Sequence, residues 1–542
     1  MTSALLAPLS AFTMVPPPLA LSIPAIDAGV ILFYLAATIA LGIWVGRGQK
    51  NLNDYLLGDR NLPWWAVLGS IVATETSTAT VLSVPGFAFA ANGDMRFLQL
   101  AIGYILGRIL VAWILLPQYF RGELFTSYEV LSIRFGAATK SLASLLFLVA
   151  RTLGDGLRLY LAALALAKFA DVDLSMAVIL VGGSTIVYTV FGGMRSVVWN
   201  DCVQMVVYLA GGILIIWLVV TRLPGGWESL MTFGQETGRF RIWDFTFDVS
   251  SPAGFAATFS DPYTFWAGLI GGLFLTLGTH GTDQLTVQRL LSSRNQADAR
   301  KALITSGVVV FGQFVLFLFL GVALAAYFNT FPSGTPIEKP DDAVASFIAH
   351  DMPVGLRGVL LAAVFAAAMS TMSSSLNSSS ASAMNDLLKP ILGKLSAARQ
   401  LSWGRGLTIL FGVAQISVGL AAPPLIDALG QSEGKNVIDA VLAIASFTTG
   451  IILGVFFLGV FTRRVGQIGA LAGMLLGGVV TVTLFWLGNN QRFDLIGLPS
   501  DFRLAWPWYA FVGSLATFVA GLIVGSPFGK ARADERGVEN SR

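Results

Sequence analysis

Apolar positions in this chain run in long, nearly unbroken blocks, not in the alternation of a half-buried strand or the single stripe of a surface helix. Thirteen blocks reach spanning length, near residues 26–46, 64–91, 97–119, 138–169, 174–191, 197–221, 263–281, 301–327, 354–388, 403–421, 438–461, 466–487 and 507–526. About 20 apolar residues cross the roughly 30 Å of a hydrocarbon core, and in lipid every backbone polar group must be satisfied internally. The pattern therefore predicts an all-α polytopic membrane protein with about 13 transmembrane helices, its principal partner a lipid bilayer. Two connections are long: 222–262, rich in Gly, Trp and Phe, and 328–353, with Pro, Asp and Glu. Neither is large enough to fold as a separate soluble domain.

Composition agrees with this reading. The chain is 55% hydrophobic and 12% charged, where soluble domains carry about 25% charged residues. With the N-terminus outside, the inner segments collect Arg47, Lys50, Arg60, Arg121, Arg134, Arg195, Arg289, Arg294, Arg300, Lys389, Arg399, Arg463 and Arg464. That asymmetry follows the positive-inside rule and predicts a cytoplasmic C-terminus in an inner or plasma membrane. No basic block accompanies the net charge of +3, so no nucleic-acid partner is expected. Cys202 has no second cysteine to pair with, and His280 and His350 are too few for a metal cluster. Residues 1–25 read as an extracytoplasmic leader, interrupted by Pro16-Pro17-Pro18 and without a positive n-region.

Three segments depart from an ordinary apolar span. The first, GSIVATETSTATVLSVPGFAFAANG, places Glu75 in a run of Thr and Ser and then Pro85-Gly86. A carboxylate at membrane depth faces a cavity, an ion or a partner, and Pro-Gly frees backbone carbonyls that only protein or a water-lined cavity can meet. A broken helix is expected here; the plainer alternative is a kinked packing helix with a snorkelling Glu.

The second segment, AAVFAAAMSTMSSSLNSSSASAMNDLLK, sets Ser370, Ser373, Ser374 and Asn377 at i, i+3, i+4 and i+7, one helical stripe. Hydroxyl and carbonyl oxygens suit a hard monovalent cation, although Ala and Ser also permit close helix packing. Beside a broken helix the ion reading leads, since discontinuous helices are where transporter ion sites are built. The third, TVFGGMRSVVWNDCVQ, carries Gly192-Gly193 and then Asp201 about one turn into the next helix, either an ion ligand or the partner of an Arg. Arg151, Asp155 and Arg158 are spaced for local pairing.

The stretch FGGMRSVVWNDCVQMVVYLAGG, the run GTDQLTVQRLLSSRNQADARKA and the Ser-rich helix with Leu376-Asn377-Ser378 resemble, in order, three signature regions of the sodium:solute symporter family. The likeness covers about residues 26–465. It implies a LeuT-like 5+5 inverted-repeat core: an extra helix at 26–46, repeats at 64–221 and 263–461 separated by an external loop at 222–262, two further helices at 466–526 and a cytoplasmic tail at 527–542.

It also implies a main sodium site from the carbonyls of Ala73, Thr76 and Ala367 and the hydroxyls of Ser370 and Thr371. A second site would use Asp201, Ser370, Ser373 and Ser374, so the coupling ion the resemblance implies is sodium, one or two per cycle. The solute implied is a small polar organic molecule, carried by alternating access. Polar candidates for its cavity are Glu75, Thr80, Gln99, Thr276, Thr279, Gln313 and Ser446, with Thr448 nearby. Leu442 and the pair Thr279-His280 depart from the sugar-transporter pattern. The cavity lacks a guanidinium fork for a carboxylate unless Arg108 points inward. Proton coupling through Glu75 and Asp201 on the same fold, or a sodium-conducting channel, are the alternatives. No HExxH or GxSxG in usable context marks an enzyme.

Overall fold

The computed structural model describes residues 24–122, 124–170, 172–332, 337, 339–428 and 437–526. The expected leader up to residue 23 and the tail 527–542 lie outside the described residues, as do the side chains of 437–445, Leu442 among them. The structure is built from helices; among the described residues the one β contact is an isolated bridge of Leu62 with Ser293.

The helices that frame the site are α1 (Ala25–Val45), α2 (Trp64–Glu75), α3 (Thr78–Phe89), α4 (Leu98–Tyr119), α5 (Ala137–Ala170), α6 (Leu174–Arg222), α7 (Gly272–Gly281), α8 (Gln284–Leu291), α9 (Gln296–Thr330), α10 (Leu356–Leu392), α11 (Ala397–Leu420), α12 (Val437–Phe461), α13 (Gln467–Asn489) and α14 (Trp506–Gly525). Among the described residues, seven helices are long and apolar enough to cross a bilayer alone, and α2 with α3 forms a further, broken span bent by 60°. The expected spans at 174–191 and 197–221 are two helical runs of α6 that meet at a kink. The chain turns at Gly193, whose φ of 53° and ψ of −155° are open only to glycine. A side chain there would also meet the Tyr55 carbonyl 2.5 Å away. The blocks at 138–169, 263–281, 403–421 and 438–461 are helical too; α5 carries Lys140, Arg151, Asp155 and Arg158, and a π-turn at Ala267–Gly271 precedes α7.

Burial orders the bundle. In its most apolar stretch α10 is 94% buried, whereas α1 is 17% buried. The Ser-rich helix is thus the central one, and none of its hydroxyls from Ser370 to Ser382 faces lipid. Around it pack α1, α5, α6 and α11, while α12, α13 and α14 form a separate group on the outer side of α5 and α7. The first span reaches into this centre. Asp27 on α1 is fully buried, and its Oδ1 accepts the amide hydrogens of Gly355 and Gly358, each at 2.7 Å. It supplies the N-terminal cap that α10 lacks from its own chain, where Gly355 stands at the cap position.

The helix break corrects the sequence expectation. Pro85 sits inside α3, and the chain leaves helical geometry at Thr76 and Ser77 instead. Ser77 and Thr80 form a reciprocal capping box that starts α3. Pro85-Gly86 serves close packing: a Cβ at Gly86 would lie 2.8 Å from Asp341, and Gly321 of α9 rests against the Pro85 carbonyl.

Candidate functional site

Where α2 stops, its last backbone groups lose their intrahelical partners, and neighbouring helices supply substitutes. Thr371 on α10 donates to the Thr74 carbonyl at 3.4 Å and to Ala367 on its own helix at 3.3 Å. The contact between the break and the central helix is thus made by Thr74, which lies between the expected Ala73 and Thr76. Thr76 turns the other way. Its hydroxyl lies 2.8 Å from the Val72 carbonyl, 2.9 Å from Gln313 Oε1 and 3.1 Å from the Tyr208 hydroxyl. Ala73, Thr76, Ala367 and Ser370 are fully buried, and Thr371 nearly so.

The second group of residues converges on Asp201. Ser370 donates to its Oδ1 at 2.6 Å, and Ser70 to its Oδ2 at 2.5 Å. Thr74 lies 3.4 Å from that same oxygen and 3.1 Å from the Ser374 hydroxyl. Ser373 donates back to the Ser370 carbonyl at 3.1 Å and does not join the carboxylate. A guanidinium completes the cluster: Arg289 Nε donates to Ser70 at 2.8 Å, while Nη2 bonds Ser374 and stands 3.4 Å from Asp201. A buried carboxylate is expensive unless paired and hydrogen-bonded, and here it is both.

Arg289 comes from the Thr-Asp-Gln run, which the sequence places in an inner loop. That run is a buried short helix, α8, with all eight residues inside. Asp283 caps it through Leu285 N at 2.9 Å and pairs with Arg151 at 2.5 Å. Gln288 reaches both the Leu56 carbonyl, at 2.6 Å, and Asn377 on α10, at 3.0 Å. Arg151 also lies 3.8 Å from Asp155, which forms an ion pair with Arg158. Both guanidinium groups face a cavity between α5, α8 and α12 that Asp283, Thr448 and Ile452 also line.

The solute candidates divide. Glu75, the last residue of α2, forms an ion pair with Arg108 of α4, so Arg108 does point inward. His280 Nε2 lies 3.1 Å from Arg108 Nη2, and its Nδ1 is 3.0 Å from Thr279. Thr276 is buried in the same interface, against Gly107. Gln313 faces the break through Thr76, and Ser446 is buried with no hydrogen-bond partner. Two candidates are engaged elsewhere: Thr80 caps α3, and Gln99 ties the Asp244 amide, at 3.0 Å, to the Tyr263 carbonyl, at 2.8 Å, at the 222–262 connection. Ser70, Thr74, Tyr208 and Arg289 were not among the candidates. Ser70 and Thr74 stand one turn apart on α2, and Tyr208 stands two turns beyond Asp201, spacings that mark shared faces.

A broken span, its ends met by a hydroxyl-rich central helix around a buried carboxylate, defines a secondary active transporter. The chain belongs to the sodium:solute symporter family, whose profile matches residues 55–477. It is similar to the sodium/iodide cotransporter of Homo sapiens, with 30% identity over 83% of this chain and 68% of that one. It is similar also to the sodium/sialic acid symporter NanT of Aliivibrio fischeri, with 28% identity over 91% and 92%. Among solved structures, a Na+-coupled sialic acid symporter in a substrate-bound outward-open state superposes with a TM-score of 0.78 at 25% identity, covering 94% of this chain and 99% of that one. The nucleobase-cation-symport-1 transporter Mhp1 gives 0.54 at 13% identity over 89% and 96%, a likeness of fold. The LeuT-like architecture expected from the sequence holds, and the chain is a sodium-coupled symporter of the membrane.

Proposed function

We propose that the protein carries a small polar organic solute inward with one sodium ion, or two, by rocking the repeats 64–221 and 263–461 about the break at Thr76–Ser77. The helix at 26–46 precedes these repeats and the pair at 466–526 follows them, with the N-terminus outside and the C-terminus cytoplasmic. The main ion lies between the break and α10, among the carbonyls of residues 73–76 and Ala367 and the hydroxyls of Ser370 and Thr371. The Asp201 cluster is the second ion place. The observation that carries this reading is the approach of Thr371 to the carbonyl of Thr74 at the end of α2. Two elements far apart in sequence present oxygens to one desolvated point, as an alkali ion requires.

Coupling follows if sodium binds the solute-competent state better than the alternative. One charge moving down about 100 mV gains roughly 2.3 kcal/mol, and a tenfold sodium gradient adds about 1.4 kcal/mol. One ion thus supports about several-hundred-fold accumulation of a neutral solute.

The test is uptake into proteoliposomes of labelled small solutes, including monocarboxylates, sialic acid and iodide, under an inward sodium gradient. Accumulation that requires sodium and collapses on its dissipation is expected. Equal uptake in sodium-free acidic buffer points to proton coupling, and current without solute to a channel; either outcome removes the sodium-symport reading.

A further inference from the structure

The ion pair of Glu75 with Arg108 leaves the guanidinium half used. Arg108 is wholly buried, among the largest fully enclosed side chains in the protein. Its Nη2 serves both Glu75 and His280, while Nε and Nη1, also buried, meet no acceptor. Nη2 is shared by the two edges through which a guanidinium grips a carboxylate, so each edge has one member engaged and one donor unmade. Leaving buried donors unmade costs free energy that a better-placed acceptor recovers.

The neighbouring histidine does not supply that acceptor elsewhere. Thr279 spends its hydroxyl hydrogen on the Leu275 carbonyl at 3.0 Å, so it accepts from His280 Nδ1–H. Nε2 is then the lone pair that takes one Arg108 hydrogen. Backbone packing fixes the arginine, for a Cβ at Gly307 of α9 would stand 3.1 Å from Arg108 Cδ. Access is one-sided: the Glu75 side chain is 20% exposed and that of Arg108 is 0% exposed. An incoming ligand meets Glu75 first and reaches the guanidinium only by displacing it.

From this geometry we infer that Arg108 is the binding site for a carboxylate on the transported solute, and that Glu75 holds its place when no solute is bound. A carboxylate that spans two guanidinium nitrogens makes a bidentate pair, stronger and more directional than the single contact of Glu75. The displaced Glu75 then keeps only the His280 imidazole, 3.6 Å from it, and a carboxylate so poorly paired at membrane depth is costly. It lies between Thr74, bonded to Thr371, and Thr76, so the nearest remedy is the sodium ion expected there. Solute and ion are coupled through charge balance at Glu75: the solute takes its cation, and sodium replaces it. This rests on the sodium-symport reading above. A monoanion carried with one sodium is electroneutral, so a tenfold gradient supports only about tenfold accumulation; a second ion makes the cycle electrogenic.

The test uses the full chain in lipid nanodiscs, with propionate as the smallest carboxylate probe and propionamide as its uncharged counterpart. Thermal unfolding is followed in sodium and in choline buffers of equal ionic strength. Propionate should stabilise the protein in sodium and propionamide should not. Arg108→Gln should weaken propionate binding at least tenfold, and Arg108→Lys less. Glu75→Gln should lower the half-saturating propionate concentration about fivefold and make it nearly independent of sodium. The charge-matched double variant Glu75→Gln/Arg108→Gln should fold and fail to respond. Equal responses to acid and amide, or an undiminished response in the double variant, overturn the site. A sodium effect with no propionate effect overturns it too and leaves sodium symport standing. Arg108-dependent propionate binding without any sodium effect upholds the site and overturns the coupling.

Discussion

The Arg289 guanidinium stands 3.4 Å from the Asp201 carboxylate and bonds Ser374 through the same nitrogen, so a positive charge already lies between two of the four residues expected to hold a second sodium. A second ion must displace a tethered cation. Removing one partner of a buried pair costs about 3–5 kcal/mol. Asp201→Asn should therefore destabilise the protein strongly. Arg289→Gln added to it should recover much of the loss, with a coupling of about 1–3 kcal/mol in a double-mutant cycle of unfolding in bicelles. Additive losses would mean that the two side chains do not share a charge.

The same substitution reports on stoichiometry. If Asp201 ligates an ion, Asp201→Asn lowers the ion-to-solute ratio by one without abolishing transport. Reversal-potential measurements on both proteins decide this, and identical ratios remove the second site.

For the main ion place, Ser370→Ala and Thr371→Ala should each raise the half-saturating sodium concentration at least about tenfold, equivalent to about 1.4 kcal/mol, with membrane insertion intact. The measurement is sodium titration of uptake in vesicles at matched protein levels. An unshifted titration in both variants dismisses these hydroxyls as ligands.

The position of the break makes a further contrast. Pro85→Ala should retain transport, because α3 runs straight through that residue. Ser77→Ala removes the capping box and should cost about 1 kcal/mol together with a loss of transport. Uptake and thermal unfolding of the two variants side by side test the assignment.

Beyond the ends of the spans, Arg96 gathers Asp94, Asp244 and Asp261 at 2.8, 2.9 and 3.2 Å and pins the 222–262 connection. Burial raises the Asp244 pKa, but the hydroxyl and amide of Thr246 and the Arg241 and Arg96 guanidinium groups outweigh it, holding the carboxyl below its usual range. A depressed folded pKa stabilises above the ordinary value of about 3.9 and is lost as pH falls through the folded one. Pepsin should cut residues 239–262 increasingly as pH falls from about 4.5 to 2.5. Asp244→Asn should flatten that dependence.

Much of this site was legible where spacing within one helix carries the information. The stripe Ser370, Ser373, Ser374 and Asn377 follows from i, i+3, i+4 and i+7, and Asp201 stands out as a carboxylate inside a span. Arg289 did not, because it is 88 positions from Asp201 and sits in a polar stretch that reads as an exposed loop. Only the fold turns that stretch into a buried helix. The break was misplaced for a different reason. Pro85 is the stronger local breaker, but the capping box at Ser77 and Thr80 starts a new helix upstream and leaves the proline within it. Gln99 was counted with the cavity because its polarity is visible in sequence, whereas its direction toward the Asp244 loop is not.

The Asp27 cap sets a constraint on biogenesis. Asp27 leaves the ribosome well before the amides it serves, which follow 328 and 331 residues later. Until then a carboxylate waits in the nascent bundle without its donors, and when the central helix arrives its amino end is open. Closing that contact joins one of the least buried spans to the most deeply buried one. Truncating the opening helix would therefore be felt at the heart of the transporter, not at its edge.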